Sequence, residues 1–473
     1  MARSNSFDRS SDSSAREAQF RELLNQALDG VAAWEQQWRP FERATELEVD
    51  AQAARAAIDA LVERLHDNYP FFHPDYAGQM LKPPHPIALA AYLAAARINP
   101  NNHALDGGPA TAELEKEVVA DMARMFGYGE HLGHLTSSGT IANLEALWVA
   151  SRLKPGKRIV FSSEAHYTQG RMCEVLSVPT AVIPVDARGR MDLDALARYD
   201  DEVGTVVVTP GTTAAGAIDA VDAVVRLARG RGWRVHADAS YGGFFSLIAP
   251  DPRAQLDAPA WAALKDCDSI ATDPHKHGLQ PYGCGCILFA DPRVGALYKH
   301  DSPYTYFTSG DLHMGEISLE CSRSGAAAAA LWTTLRALPL RKDQGLGPVL
   351  LACRLSALTM DARARRNGLL APVVEPQLDI VTLAPLRAGE RAAVSEVSRR
   401  TEAIFDALMS DQSRPFYVAK WRVGKAFGSL ALPDLEWNED GCAVVRCVLM
   451  KPEHSAIVDD LIEAIERWPS LRA

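Results

Sequence analysis

The chain between Thr205 and Asp238 reads TVVVTPGTTAAGAIDAVDAVVRLARGRGWRVHAD and carries two short apolar runs separated by a helical segment. The runs are Thr205–Val208 and Arg234–Ala237, while Ala220–Arg229 has the apolar spacing of a helix. Neither run alternates with polar residues, as expected for strands that are covered on both faces. The stretch therefore predicts a βαβ unit, in which a crossover helix joins two parallel strands.

The same alternation extends in both directions, from about residue 100 to about residue 340. Further strand-like runs are Arg158–Phe161, Ala181–Val185, Ser269–Ala271 and Cys286–Phe289, and further helical segments are Ala112–Phe126 and Ile141–Arg152. Repeated βαβ units predict an α/β fold with a mostly parallel central sheet covered by helices. Ligands of such sheets bind beyond the carboxyl ends of the strands, so polar residues that follow the strands are candidate site residues.

The segments on either side of this region have a different character. Residues 1–14 are rich in Ser and charge and are expected to be a disordered lead, whereas residues 15–99 are expected to form a helical N-terminal arm that packs on a partner subunit. After Arg341, helical stretches alternate with the strand-like Leu378–Leu383 and Ala443–Leu449. The predicted organisation is thus a lead, an arm, a large α/β domain (100–340) and a small α+β C-terminal domain (341–473).

Two charged residues follow strand-like runs. Asp238 comes directly after Ala237, and a carboxylate buried there is costly unless it is paired. Lys276 lies in the stretch TDPHKH, residues 272–277, and a lysine desolvated beside other cations offers a free amine for imine formation. Ordinary structural roles fit as well: Asp238 could cap a helix, and Lys276 could be an exposed loop lysine.

Two further features precede them in the chain. Residues Ser138, Gly139 and Thr140 lie in a turn before the helical segment that begins at Ile141, where N–H groups and the helix dipole attract an anion. No Walker lysine or Rossmann glycine pattern accompanies this turn, which argues against a nucleotide site. His166 follows the strand-like run that ends at Phe161. Taken alone, the turn is a common cap and the histidine a common packing residue.

Together the four features match the requirements of pyridoxal 5′-phosphate (PLP). This cofactor needs a lysine to hold its aldehyde as a Schiff base, an anion beside its pyridine nitrogen, a cradle for its phosphate and a cover for its ring. Lys276, Asp238, the turn at Ser138–Thr140 and His166 would supply these in that order. The sequence therefore predicts a PLP enzyme.

The ordered set resembles the group II PLP-dependent amino-acid decarboxylases, the relatives of glutamate, aromatic amino-acid and archaeal tyrosine/aspartate decarboxylases. Asp273-Pro274-His275-Lys276 is similar to the family's Asn/Asp-Pro-His-Lys motif. Residues 236–243, HADASYGG, are similar to its His-Val-Asp-Ala-Ala-Tyr-Gly-Gly segment, residues 136–143 to Thr-Ser-Gly-Gly-Thr-Glu-Ala-Asn, and residues 322–325 to Thr-Arg-Ser-Gly. The chain departs from many relatives at Ser240, where they have Ala, and at His277, which leaves the substrate's identity open.

The resemblance implies the PLP-dependent transferase fold (fold type I) and a homodimer whose active sites lie at the subunit interface. It also assigns residues to parts of the site. These are Ser138, Gly139 and Thr140 at the phosphate, His275 beside it, His166 over the ring, Thr212 and Ser240 along the cofactor, and His73 and Asn102 on the substrate side.

The reaction expected from the resemblance is decarboxylation of an L-amino acid to the corresponding amine and CO₂. The product carbon must be protonated, and the candidates are His166 and a loop tyrosine, either Tyr304 or Tyr306. Aldehyde synthesis, transamination and Cα–Cβ or C–S cleavage remain alternatives on the same scaffold. Residues 375–381, EPQLDIV, contain no arginine of the kind that aminotransferases of this fold use to hold a carboxylate, which disfavours transamination.

Composition limits the partners and the compartment. The net charge of −11, from 49 Lys+Arg against 60 Asp+Glu, argues against nucleic acid and anionic membranes as partners. The charge says nothing about the substrate, for which the resemblance implies a small-molecule amino acid. The eight cysteines show no CxxC pair, the N-terminus lacks a signal-peptide pattern, and no run approaches the roughly 20 apolar residues of a membrane span. We therefore expect a cytoplasmic protein without a metal site. His131 and His134 are expected to lie in a solvated loop.

Overall fold

The computed structural model describes residues 9–200, 202–299 and 318–467, with side chains from residue 15 onward. The helices are α1 Arg9–Glu35, α2 Ala51–Leu65, α3 Pro86–Ile98, α4 Pro109–Phe126, α5 Gly139–Leu153, α6 Thr168–Val175, α7 Leu193–Ala197, α8 Val221–Arg231, α9 Ala258–Ala262, α10 Gly325–Ala337, α11 Leu346–Asn367, α12 Val394–Ser410, α13 Lys425–Ala431 and α14 Val458–Glu466. The strands are β1 Leu132–Thr136, β2 Arg158–Ser162, β3 Thr180–Ile183, β4 Val203–Val208, β5 Arg234–Asp238, β6 Ser269–Thr272, β7 Gly285–Phe289, β8 Leu340–Arg341, β9 Gln344–Gly345, β10 Ala371–Pro372, β11 Ile380–Ala384, β12 Ala419–Gly424 and β13 Gly441–Val448. Across these ranges, no helix has both the length and the apolar character that crossing a membrane requires.

A seven-stranded sheet in the order β1-β7-β6-β5-β4-β2-β3 forms the centre of the large domain. The pairs β2–β3, β2–β4, β4–β5 and β5–β6 are parallel, whereas β7 runs antiparallel to both β1 and β6. Every residue of β4 is buried. This agrees with its apolar sequence pattern, which predicts a strand that is covered on both faces. The βαβ unit predicted between Thr205 and Asp238 is confirmed as β4, α8 and β5.

A second sheet of four antiparallel strands, in the order β10-β11-β13-β12, lies in the C-terminal part. The helices α11, α12 and α14 pack against it and against one another, which confirms the α+β character predicted for this part. Strand β12 was not predicted. It is an edge strand that exposes Lys420 and half-exposes Trp421, so its sequence lacks an apolar run.

Helix α1 begins at Arg9, six residues before the start of the predicted arm at Ala15. One prediction about the residues that precede the cradle is wrong. His134 is not in a solvated loop: it lies on β1, is 1% exposed, and its Nε2 lies 2.9 Å from Glu145 Oε2. A carboxylate from α5 compensates for the burial of this histidine, which explains why β1 shows no apolar run in the sequence.

The topology brings the predicted polar residues to one edge of the central sheet. The carboxyl ends of the parallel strands β2, β4, β5 and β6 meet there, and each leads into a loop. The loops after β4 and β5 pass so closely that a Cβ on Gly242 would lie 1.9 Å from the carbonyl oxygen of Pro210. Only glycine permits this approach, which closes the edge of the sheet around the site.

Candidate active site

Asp238 lies at the end of β5 and is 5% exposed. Its Oδ1 accepts hydrogen bonds from the Ser240 hydroxyl at 2.6 Å and from the Asn143 amide at 3.3 Å. Burial opposes ionisation, but the Ser240 hydrogen bond and the nearby His236 and Lys276 outweigh it and hold the pKa of Asp238 below its ordinary value. Asp238 is therefore a buried carboxylate that stays ionised, as the partner of a pyridinium must.

His236 supports this carboxylate from within the sheet. Its Nδ1 lies 2.9 Å from Ser269 Oγ and its Nε2 lies 2.9 Å from Asn143 Oδ1. Burial lowers the pKa of His236 to about 4, so the ring is neutral near pH 7. Because the Asn143 amide nitrogen donates to Gly139 O and to Asp238, its oxygen is the acceptor, and the His236 proton sits on Nε2. A chain of hydrogen bonds thus runs from β6 to Asp238.

Lys276 follows β6 at the same edge of the sheet. Its Nζ lies 3.0 Å from Asp273 Oδ2, and the side chain is 20% exposed, so it is not a free loop lysine. His275 Nε2 lies 3.6 Å from the same carboxylate oxygen, and His275 Nδ1 donates to the carbonyl oxygen of Cys284 at 2.9 Å. Burial lowers the pKa of His275, which keeps it neutral. The loop after β6 therefore holds the Lys276 amine beside the Asp273 carboxylate and close to the uncharged His275 imidazole.

The predicted phosphate cradle is the first turn of α5. Ser138 is the N-cap, and its Oγ accepts a hydrogen bond from the Ile141 N–H at 3.4 Å. A Cβ on Gly139 would lie 2.6 Å from Asp273 Oδ2, so glycine is needed for the lysine loop to pack against this turn. The helix thus presents its positive end beside the lysine loop.

His166 lies in the loop after β2 and is half-buried. The Thr168 N–H donates to His166 Nδ1 at 3.3 Å, and Thr168 Oγ1 lies 2.7 Å from the same nitrogen. Burial lowers the pKa of His166, and Asp238 and Lys276 act on it in opposite directions. Because Nδ1 accepts, the neutral ring carries its proton on Nε2.

One cavity of about 210 Å³ brings most of the predicted residues together. Those that line it are Ser138, Gly139, Thr140, His166, Asp238, Ser240, His275 and Lys276. Two further residues that line it, Thr209 and Asp273, each carry a buried oxygen (Oγ1 and Oδ1) without a hydrogen-bond partner in the described part of the chain, so polar capacity remains for a ligand. A carboxylate, an amine, a helix N-terminus and an imidazole around one cavity fit PLP.

The remaining predicted residues do not line this cavity. Thr212 is buried, and its hydroxyl accepts a hydrogen bond from the Ala217 N–H at 3.0 Å, so it closes the turn after β4 while its neighbours Gly211 and Thr213 line the cavity. A contact of Thr212 with the cofactor stays a prediction. His73 makes a local hydrogen bond, in which its Nδ1 accepts from the Asp75 N–H at 3.1 Å. Tyr304 and Tyr306 lie outside the described residues.

Asn102 belongs to a buried polar network and not to the cavity wall. Its amide nitrogen donates to Glu115 Oε2 at 2.6 Å and to Thr111 O at 3.1 Å, while its oxygen accepts from the Thr111 hydroxyl at 2.5 Å. The side chain has no donor left for a substrate, because both of its N–H groups are used internally. The contacts of Asn102 are structural, and its substrate-side position stays a prediction.

Sequence reasoning missed several residues around the cavity. Asn143 lies four residues after Gly139, a helical spacing that places it over the cradle, and this signal was available. Thr209 follows the strand-like run that ends at Val208 and could have been found in the same way. Gln169 carried no signal, because its contacts depend on the angle at which α6 meets the sheet.

Comparison with known proteins identifies the family of the chain. The pyridoxal-dependent decarboxylase conserved domain matches residues 52–344, more than half of the chain. An L-tyrosine decarboxylase of Enterococcus faecium is 27% identical, with 68% of this chain and 70% of the relative covered. A probable L-tyrosine/L-aspartate decarboxylase of Methanothrix thermoacetophila is 30% identical, with 63% of this chain and 75% of the relative covered.

Solved structures share the fold along almost the whole chain. Oryza sativa TDC, solved with PLP and tryptamine, superposes with a TM-score of 0.74 and 18% identity, covering 95% of this chain and 97% of that one. Mouse CSAD superposes with a TM-score of 0.73 and 19% identity, covering 94% and 91%. The fold type I architecture predicted from the sequence is confirmed. The chain belongs to the pyridoxal-dependent decarboxylase family and is a PLP-dependent carboxy-lyase that acts on an amino acid.

Proposed function

We propose that the decarboxylation of an L-amino acid takes place in the cavity at the carboxyl edge of the central sheet, with Lys276 holding the cofactor. The observation that supports this assignment is the convergence of Lys276, Asp238, His166 and the first turn of α5 on one cavity. When bound, PLP would take up the electron pair of the Cα–carboxylate bond as CO₂ leaves. In this proposal Ser138, Gly139 and Thr140 hold the phosphate, as the N-terminus of a helix holds an anion.

Asp238 and His166 have the properties that two different proton-handling tasks require. The ionised Asp238 holds a proton on the pyridine nitrogen, because an anion in a buried site stabilises the cation beside it. His166 covers the cavity and is neutral near pH 7, with its proton on Nε2. That proton is available for the product carbon. The other candidate donor is a loop tyrosine, Tyr306 or Tyr304, as the resemblance implies.

The substrate side chain is proposed to enter a second cavity that adjoins the first. It has a volume of about 320 Å³ and shares His166 and Thr213 with the cofactor cavity. Its wall carries Glu164, whose pKa burial raises to about 7, and Arg446, whose guanidinium donates to the carbonyl oxygen of Thr213. The amino acid is found by measuring CO₂ released from each common and several uncommon L-amino acids.

Reduction of the holoenzyme with borohydride tests the lysine assignment. The purified protein should be yellow, and reduction should abolish the visible band and fix a phosphopyridoxyl group on the protein. Peptide mass spectrometry should then locate this group on Lys276, because Lys276 and Asp238 line the same cavity. Lys82, whose ammonium is buried beside His277, is the internal comparison and should stay unlabelled. Label on any lysine other than Lys276, or none at all, contradicts the assignment.

We further propose that two copies of the chain form a homodimer through the N-terminal helices. No residue of α2 is buried, yet Ile58, Leu61, Val62 and Leu65 form one exposed apolar face at helical spacing. Trp38, Phe41, Leu47 and Val49, between α1 and α2, are exposed as well. A helix with an uncovered apolar face needs a partner, and a second copy with the same face supplies one.

Substitution on α2 tests this dimer. Wild-type protein should sediment as a dimer, and Leu61→Glu should shift it towards the monomer, because a charge in the middle of the apolar face opposes its burial. Ala60→Glu places the same charge on the opposite face of α2 and should leave the dimer intact. Equal effects of the two substitutions would show that this face is not the interface.

The cellular location and the domain limits are also proposed. All eight cysteines are free, and seven of them are buried, which suits a reducing cytoplasm. The division into an arm, a large domain to residue 340 and a small domain from residue 341 follows the change from the parallel sheet to the antiparallel one.

A further inference from the structure

Gln169 is a fully buried residue in the first turn of α6 and does not line the cofactor cavity. Its amide nitrogen donates one hydrogen bond to Asp238 Oδ2 at 2.8 Å and another to Asn143 Oδ1 at 2.9 Å. Gln169 is therefore hydrogen-bonded both to Asp238, the proposed partner of the pyridinium, and to Asn143 of α5, which also donates to Asp238.

The orientation of the Gln169 amide is fixed by these two acceptors. Reversing the amide would place its oxygen against Asp238 Oδ2 and Asn143 Oδ1, neither of which has a proton to give. In the observed orientation, Gln169 Oε1 is buried and has no hydrogen-bond partner among the residues described. A buried acceptor without a donor is unfavourable, so the two donated bonds must outweigh its desolvation. The Gln169 amide therefore donates to Asp238 while its own oxygen accepts no hydrogen bond from the residues described.

The two oxygens of Asp238 have different donors. Oδ1 accepts from Ser240 and Asn143, whereas Oδ2 accepts from Gln169. In a buried pair of a carboxylate and a pyridine, the single shared proton rests on whichever partner has the higher proton affinity. Hydrogen bonds donated to the carboxylate lower its proton affinity, and so favour the proton on the ring nitrogen.

We propose that Gln169 is a positioning residue that keeps the proton on the pyridine nitrogen of the cofactor by donating a hydrogen bond to Asp238 Oδ2. This inference rests on the proposed pairing of Asp238 with PLP. Without the Gln169 donor, the proton should move towards Asp238 and leave a neutral ring, which is a poorer electron sink.

The test uses Gln169→Met, which keeps the length and volume of an unbranched side chain and removes the amide. The amide oxygen has no hydrogen-bond partner among the residues described, so the bonds that are lost are the two donated ones. Holoenzymes are prepared with PLP that carries ¹⁵N in the ring, and the ¹⁵N chemical shift reports whether the ring nitrogen is protonated. We expect a protonated ring in the wild type and a shift towards the neutral ring in the variant. A lost hydrogen bond to a charged group corresponds to a change of roughly ten- to a hundredfold in the proton equilibrium, and kcat should fall by a similar factor.

Gln377→Met is the matched control, because Gln377 is buried and also makes two hydrogen bonds, with the Ile218 N–H and with Arg188 O, and does not line the cavity. It should leave the ¹⁵N shift unchanged. Gln169→Glu is a second variant: a protonated glutamic acid can donate to Asp238 and an ionised one cannot. Its ring nitrogen should therefore lose its proton as the pH rises through a range in which the wild type does not change.

The outcomes separate two failures. A ¹⁵N signal that is the same in the wild type and in both Gln169 variants overturns the role of Gln169 and leaves the pairing of Asp238 intact. A wild-type holoenzyme whose ring nitrogen is unprotonated overturns the proposed pairing, and with it the inference that rests on it.

Discussion

Asp238→Ala should lower turnover by roughly 10³-fold or more, although the protein still binds PLP through its phosphate and through Lys276. The carboxylate is buried and ionised, so its removal leaves no anion to hold the proton on the pyridine nitrogen. The measurements are kcat with the preferred amino acid and the dissociation constant of PLP for the apoprotein.

A buried carboxylate away from the cavity provides the control for this substitution. Asp251 is 3% exposed and pairs with Arg253, so Asp251→Ala removes a buried charge without touching the cavity. It should leave kcat within a few-fold of the wild type. Near-normal turnover in Asp238→Ala would show that Asp238 has only a structural role.

Arg323→Met should lower the free energy of unfolding by about 3–5 kcal/mol, the usual effect of breaking a buried ion pair. Arg323 Nη1 lies 2.5 Å from Glu115 Oε1, and its guanidinium also donates to the carbonyl oxygens of Leu135 and Asn102. Without the arginine, Glu115 becomes a buried charge without a cationic partner, which is the source of the loss. Chemical denaturation followed by fluorescence measures the change.

Two further variants test whether burial of the ion pair causes the loss of unfolding free energy in Arg323→Met. Arg336 pairs with Glu117 at 2.7 Å on the exposed side of α10, and Arg336→Met should cost less than about 1 kcal/mol. Adding Glu115→Gln to Arg323→Met should recover part of the loss, because it removes the unpaired charge. Equal losses from Arg323→Met and Arg336→Met would mean that the buried pair contributes no more than a surface pair.

The central architecture was predictable because it depends on local pattern. Strands β4 and β5 are buried on both faces, so each is a continuous apolar run, and α8 between them ends at Gly232 in a left-handed conformation that favours glycine. The positions of Asp238 and Lys276 followed from the rule that ligands bind beyond the carboxyl ends of parallel strands.

The rest depended on contacts between distant segments. Strand β1 was missed because the polar His134 is buried in it, opposite a glutamate that only the fold brings near. The hydrogen bond from the Ala217 N–H to the Thr212 hydroxyl could not be predicted either, because it depends on the conformation of the turn after β4. Gln169 could not be found, because it lies on α6 and only the fold brings it to Asp238 at the end of β5.

The packing of Gly139 against Asp273 limits the evolutionary paths open to this site. Position 139 belongs to the predicted phosphate cradle and position 273 to the lysine loop, and a Cβ at position 139 would lie 2.6 Å from Asp273 Oδ2. A larger residue at position 139 is therefore tolerated only in a lineage that has already reduced the side chain at position 273, so the order of the two substitutions matters. Mutational libraries that vary one segment at a time would discard variants that are viable only in combination.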